Sequence, residues 1–533
     1  MLRPRDQSGV TPDMRDPATP SDVTISSSAP APFDDPTMGV AVAARTRSRE
    51  PPLNRLVTIG DSLTMGFQNN AVFRTEMSYP AMIAHELGAE FRHPVYDGPG
   101  DGLPLNLEAL VRDLESRFGD RIDVWEAPRA LARARKWLAI HEDYWERGPG
   151  ARFTPPAAIN HNLGVSGWSF ATALATTARS VEARIRRPRD GLFDDLLPEN
   201  AQERMELRVL ASAGGMDRTV FEAAEALGAQ VGGGHDPDVG IDTLVVMLGA
   251  NSALGTVVRL QVNWRGGPQF DGKRPATVVA PRLFRADLRR AVAAVRRIAA
   301  RRVIWATVPH VTIAPIARGV EGRLSETSRY FDAYTYPWIA EHGLNRAWDP
   351  YLTHQEARAV DSAIDHYNDD IAQAVVDARR DGLDWRILDL AGLLDRLAHR
   401  RYIEQKRAQP EWWTPYPLPP ELEALEPTPD SRFLSTDAAG RRDAGGLFSL
   451  DGVHPTTIGY GVLAQEVVDV MSGAGVDFPA PDGSPRPRPV RIDVRRVMAA
   501  DTLLRRPPRS VDASVRTIGW IHRNLPFVGA LLG

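Results

Sequence analysis

The sequence predicts an α/β fold: a five-stranded parallel sheet with helices on both faces. Two observations carry that prediction. Short apolar runs alternate with segments of helical periodicity along the chain. The run Leu244–Leu248 is continuously apolar, as a strand covered on both faces must be.

In order, the strands are expected at Leu56–Ile59, Ala157–Leu163, Thr243–Leu248, Val303–Val308 and Trp385–Leu390. Helices are expected at Tyr79–Leu87, Ser169–Ile185, Ala286–Ala300, about 355–380, and Gly459–Met471. In Ala286–Ala300 the stripe is Leu288, Val292, Val295 and Ala299, at helical spacing. In 355–380 it is Ile364, Tyr367, Ile371 and Val375. Residues 1–50, rich in Pro, Ser, Thr, Asp and Arg without periodicity, are expected to be disordered. Residues 53–475 form the folded domain, and 476–533 a tail opened by a Pro/Gly-rich linker. Large, mostly helical insertions are expected at about 88–155, 253–280, 311–353 and 393–447.

Composition narrows the function. The chain has 533 residues, 43% hydrophobic and 25% charged, which is globular. A net charge of −4 argues against nucleic acid and anionic membrane as partners. There is no cysteine, so disulfides, thiolate metal sites and a cysteine nucleophile are excluded. The histidines show no ligand spacing, and Asp236-Pro237-Asp238 lacks the frame of a calcium loop, so no metal or other cofactor is expected. No run approaches the ~18 apolar residues of a membrane span, and Met1–Ser8 has no signal-type core. The expected location is the cytoplasm, with Met1 and Met38 both eligible starts. The apolar end Trp520–Leu532 is expected to pack on the body, with membrane-surface contact as the alternative.

Four segments carry chemistry. Gly60-Asp61-Ser62-Leu63 puts a serine where a strand meets a helix, and Gly60 permits a tight turn. Asp451-Gly452-Val453-His454-Pro455 puts a carboxylate three residues before an imidazole, close enough to hold its Nδ1–H and leave Nε2 as a base. Gly167 and Asn251, each after a strand, offer a bare backbone N–H and an amide donor for a developing oxyanion. Ser62, Gly167 and Asn251 therefore fall at the strand C-terminal edge, where open parallel sheets bind ligands. Taken singly, each is also an ordinary cap or turn residue. Gly167-Trp168-Ser169-Phe170-Ala171 is a competing nucleophile elbow, which keeps Ser169 open. His310, after the fourth strand, is expected near the site as a lining residue.

The ordered set Ser, Gly, Asn, Asp-x-x-His resembles the SGNH (GDSL) hydrolase superfamily. The matching segments are Ile59–Thr64, Asn162–Gly167, Gly249-Ala250-Asn251 and Asp451–Pro455. The resemblance implies a flavodoxin-like three-layer α/β/α sandwich and esterase or lipase activity. It implies Ser62 as nucleophile, His454 as base and Asp451 as its orienter. Ser62 N–H, Gly167 N–H and Asn251 would form the oxyanion hole. Where the family often has Asp after that Asn, this chain has Ser252. The expected substrate is a small-molecule or lipid ester. Acyl transfer to an alcohol, carbohydrate O-deacetylation and, last, non-catalytic binding are the alternatives. Aromatic residues of the insertions (Trp264, Tyr330, Phe331, Tyr334, Trp412 and others) are expected either to line an acyl pocket or to form the cap's own core.

Overall fold

Asn54–Gly60 (β1), with its apolar side chains, forms the first strand of the sheet in the computed structural model. The model describes residues 7, 10–43, 51–119, 122, 125–188, 197–229, 240–340, 342–437, 439–480, 482–484 and 486–509. Ser62–Met65 (α1) and Tyr79–Glu86 (α2) follow. The other core elements are Asn162–Gly164 (β2), Val220–Gly228 (α3), Ile241–Met247 (β3), Pro281–Val295 (α4), Ala300–Ala306 (β4), His354–Arg380 (α5), Trp385–Leu388 (β5), Leu390–Leu397 (α6) and Thr457–Gly473 (α7). The five strands are all parallel, in the order β5-β4-β3-β1-β2. Thr58 lies between Asn162 of β2 and Val245 of β3.

The strand period of two divides the core. Val57, Ile59, Leu244, Val246, Val303, Trp305 and Ile387 point to one face, which α3, α4 and α5 cover. Leu56, Val245, Met247, Ile304, Ala306 and Leu388 point to the other, which α2, α6 and α7 cover. Such a sheet buries both faces, which explains the apolar runs.

Four expectations are corrected. The second strand is only Asn162–Gly164, because the preceding polar side chains bond sideways: Asn160 donates to the Arg208 carbonyl at 2.9 Å, and His161 Nδ1 accepts from Arg92 N–H at 3.1 Å. The helix expected over 169–185 is two, Phe170–Ala173 and Ala178–Glu182. Thr177 starts the second with a capping box to Ser180. The insertions are not all mostly helical. The first carries the helices Leu107–Phe118 and Ala127–Glu146, but 311–353 builds a three-stranded antiparallel sheet from Arg318–Arg323, Phe331–Thr335 and Leu352–Thr353. Its β-branched and aromatic residues favour strands.

Nor are residues 10–43 disordered. Val23 and Ile25 are buried in the core. The segment then runs along β5, where the Pro36 carbonyl accepts from Ile387 N–H at 2.9 Å and the Val40 carbonyl from Arg379 Nε at 2.7 Å. An uncovered edge strand is a liability, and this segment covers it. In the C-terminal tail, Val490, Ile492 and Val497 pack in the α2/α7 layer. Asp236–Asp238 and Trp520–Leu532 lie outside the described residues. Among those described, no helix is long and apolar enough to cross a membrane, and no group of three or more His, Cys, Asp or Glu is set to hold a metal ion.

Candidate active site

β1 delivers the Gly-Asp-Ser turn to the C-terminal edge of the sheet. Gly60 is required there: a Cβ would stand 1.9 Å from Thr64 Oγ1 and 2.8 Å from the Met247 carbonyl. Asp61 caps α1, its carboxylate accepting from Leu63 N–H at 3.1 Å. Burial pushes the Asp61 carboxyl up to about 7, against the pull of that hydrogen bond and of His454. Ser62 is the first residue of α1 and 5% exposed.

Its hydroxyl lies 2.9 Å from His454 Nε2, and His454 Nδ1 lies 3.0 Å from Asp451 Oδ2. Hydroxyl, imidazole and carboxylate therefore form one continuous hydrogen-bonded row. Asp451 is also held by backbone N–H groups: Val453 and His454 donate to Oδ1, each at 2.8 Å, and Asn70 to Oδ2 at 2.7 Å. Burial acts to raise its pKa, but the charge of His454 and these bonds more than reverse that, leaving Asp451 below the usual carboxylate range. The ring of Phe67 lies 4.7 Å from that of His454, against its flank.

The Asn70 contact was missed in the sequence. Phe67–Gln68 and Ala71–Val72 pair as a hairpin whose turn residues, Asn69 and Asn70, both have positive φ (55° and 60°). That is the type I′ geometry that Asn favours, so Asn-Asn between two apolar-containing pairs was the available signal. Asn69 clasps the same loop that carries Asp451, its N–H donating to Ser449 Oγ at 2.9 Å and its Oδ1 accepting from Leu450 N–H at 3.0 Å.

Gly167 adopts φ +78°, a left-handed conformation that favours glycine, with open space where a side chain would be. Asn251 follows β3, and its Nδ2 donates to the Trp168 carbonyl at 3.0 Å. Trp168 is itself tied by its indole N–H to Glu206 at 2.9 Å. Gly167 and Asn251 are thus brought together through residue 168. This anchor answers how Asn251 is held with Ser252, not Asp, beside it.

Two expected candidates lie elsewhere. Ser169 is the N-cap of Phe170–Ala173, its Oγ 3.3 Å from Thr172 Oγ1 and without an imidazole partner. His310 is not a lining residue. It is 1% exposed and sits between Asp395 (Nδ1 to Oδ2, 3.0 Å) and Asp365 (Nε2 to Oδ1, 3.1 Å).

A cleft of about 120 Å³ opens against Ser62 and His454. Leu63, Leu254, Leu390, Leu394 and Leu447 are among its walls, with Val311 and Ala314. Three of the four insertions thus contribute to it, and 88–155 does not. The insertion aromatics do not line it either. Trp264, Tyr330, Phe331 and Tyr334 are buried within the core packing. Comparison with protein-family models found no match, and comparison with curated proteins found none.

Proposed function

We propose that this protein is a serine hydrolase that cleaves carboxylic esters through an acyl-enzyme on Ser62. The observation that carries the reading is the row Ser62 Oγ–His454 Nε2 at 2.9 Å and His454 Nδ1–Asp451 Oδ2 at 3.0 Å. Asp451 holds the Nδ1–H tautomer, so Nε2 is the free base. His454 takes the Ser62 proton as the hydroxyl attacks the ester carbonyl, then gives that proton to the leaving alcohol. Water, deprotonated by the same nitrogen, attacks the acyl-enzyme and releases the acid. Negative charge on the carbonyl oxygen is met by Ser62 N–H, Gly167 N–H and the Asn251 amide. The strand order, 2-1-3-4-5 in chain numbering, supports the flavodoxin-like form of the sandwich.

The leucine-lined cleft supports an aliphatic acyl group over a sugar. Its volume of about 120 Å³ is well below the roughly 300–1,000 Å³ of sites for drug-sized ligands. A p-nitrophenyl ester series from acetate to palmitate is therefore expected to show highest kcat/KM at short chains. A maximum at palmitate would contradict this acyl assignment. Asn251→Ala is expected to lower kcat by about 10²–10³ with little change in KM, since the amide acts mainly on charge that develops in the transition state. Steady-state kinetics on the preferred ester checks both. A KM effect alone would remove Asn251 from the oxyanion hole.

A further inference from the structure

A second cavity, of about 510 Å³, abuts the cleft. Val311 and Ala314 face the cleft, whereas Thr312, Ile313 and Pro315 face this cavity. Leu397 and Ala398 divide the same way. Its walls carry Arg318, Arg329, Arg400, Arg401 and Arg432, against one acid, Glu404.

Several of these arginines are already committed. Arg401 pairs with Asp361 at 3.0 Å, Arg432 with Asp430 at 2.7 Å, Arg400 more loosely with Glu404 at 3.9 Å, and Arg318 donates to the Ile339 carbonyl. Arg329 is different. It is 6% exposed, and none of its three guanidinium nitrogens finds a carboxylate or backbone carbonyl as hydrogen-bond acceptor among the described residues; the Tyr402 hydroxyl is the polar group nearest to hand. The two carboxylates that act on it are engaged elsewhere. Asp361 accepts from Thr312, Tyr330 and Arg401, and Asp365 faces His310. Arg329 has the face of the Tyr330 ring, 5.0 Å from its Cζ, and the Tyr402 side chain beside it. A ring face offsets less than burying a guanidinium costs. On its other side Arg329 borders a cavity of about 290 Å³ whose remaining charged residues are Arg358 and Arg407. A buried cation without a carboxylate or carbonyl acceptor, in a wall of like charges, is the arrangement an anionic ligand completes.

We infer that the 510 Å³ cavity binds a phosphate monoester carried on an organic body. Arg329 and Arg400 hold the phosphate, and Tyr334 and Phe433, also in the wall, pack the body. Phosphate fits better than carboxylate because the wall carries five arginines against a single acid, a net positive charge that suits a dianion. The volume leaves room beyond a bare phosphate.

The test is calorimetric titration of the full chain with phenyl phosphate, inorganic phosphate and benzoate at fixed ionic strength. It needs no turnover, so its outcome is separate from that of the Ser62 assignment. Saturable binding is expected, tightest for phenyl phosphate, and weakened at least tenfold in both Arg329→Met and Arg400→Gln. Arg400 lines this cavity and not the 290 Å³ one, so it identifies which of the two is filled. Without ligand, Arg329→Met is expected to melt no lower than wild type, because it removes a buried charge to which no carboxylate or carbonyl is directly hydrogen-bonded. A lower melting temperature would mark Arg329 as structural and overturn the inference. So would absence of saturable binding, benzoate binding as tightly as phenyl phosphate, or unchanged affinity in Arg400→Gln.

Discussion

Ser62→Ala is expected to lower kcat for a short-chain p-nitrophenyl ester by on the order of 10⁶. The methyl group cannot form the acyl-enzyme, and among the described residues no second serine bonds an imidazole to replace it. Ser169 serves the helix Phe170–Ala173 through Thr172 and has no imidazole partner among the described residues. What survives should be the weak catalysis of oxyanion donors and binding alone, about 10³–10⁴ above water. The fold should be unaffected. The Ser62 hydroxyl bonds His454, and Asp451 still holds that ring when the hydroxyl is gone. The melting temperature is therefore expected to stay close to wild type, with the change in stability within about 1 kcal/mol. A serine-reactive phosphonate should label Ser62 in wild type, as peptide mass mapping will read. Label on Ser169, or turnover surviving in Ser62→Ala, overturns the proposed function.

His310→Ala is expected to cost about 3–5 kcal/mol of stability, because it strands two buried carboxylates. Asp365 and Asp395 are 2% and 3% exposed, and each faces one ring nitrogen of His310. Burial would lower the imidazole's pKa, but the two carboxylates reverse that and raise it to about 10. A group whose folded pKa lies above its unfolded value of about 6.5 stabilises most below that value. The contribution is lost as pH rises through the folded value. The gap in denaturation midpoint between wild type and His310→Ala should therefore be widest at pH 6 and narrow toward pH 10. A gap independent of pH would show that His310 is not held as imidazolium. Because Pro309 and Val311, on either side of His310, line the cleft, its loss is also expected to disturb ester binding.

What was legible in the sequence follows from where each signal arises. β3 and β4 were readable because both faces are buried, so Leu244–Met247 and Val303–Ala306 are continuous apolar runs. The row Ser62–His454–Asp451 was readable because the proposed chemistry requires particular residue types at short spacing within each segment. β2 was overread because Asn160 and His161 are satisfied by groups distant in the chain, which periodicity does not report. Residues 10–43 were misjudged for a similar reason. Their order comes from a few apolar anchors and from backbone groups that meet β5, Arg379 and Asp389, not from a pattern of their own. The leucine cleft was not legible because its walls come from widely separated segments, and only the fold brings them together.

The hairpin at Asn69–Asn70 makes the site dependent on completing the chain. Ser62 and His454 are separated by 392 positions, and the loop carrying Asp451 is clasped by residues that immediately follow the nucleophile's helix. During synthesis, the serine and the hairpin emerge long before the loop they must receive. Until that loop arrives and α7 seats it on the sheet, the serine has no base. On the proposed function, a chain halted anywhere short of it would be chemically silent, so ester turnover would report only molecules synthesised past that loop.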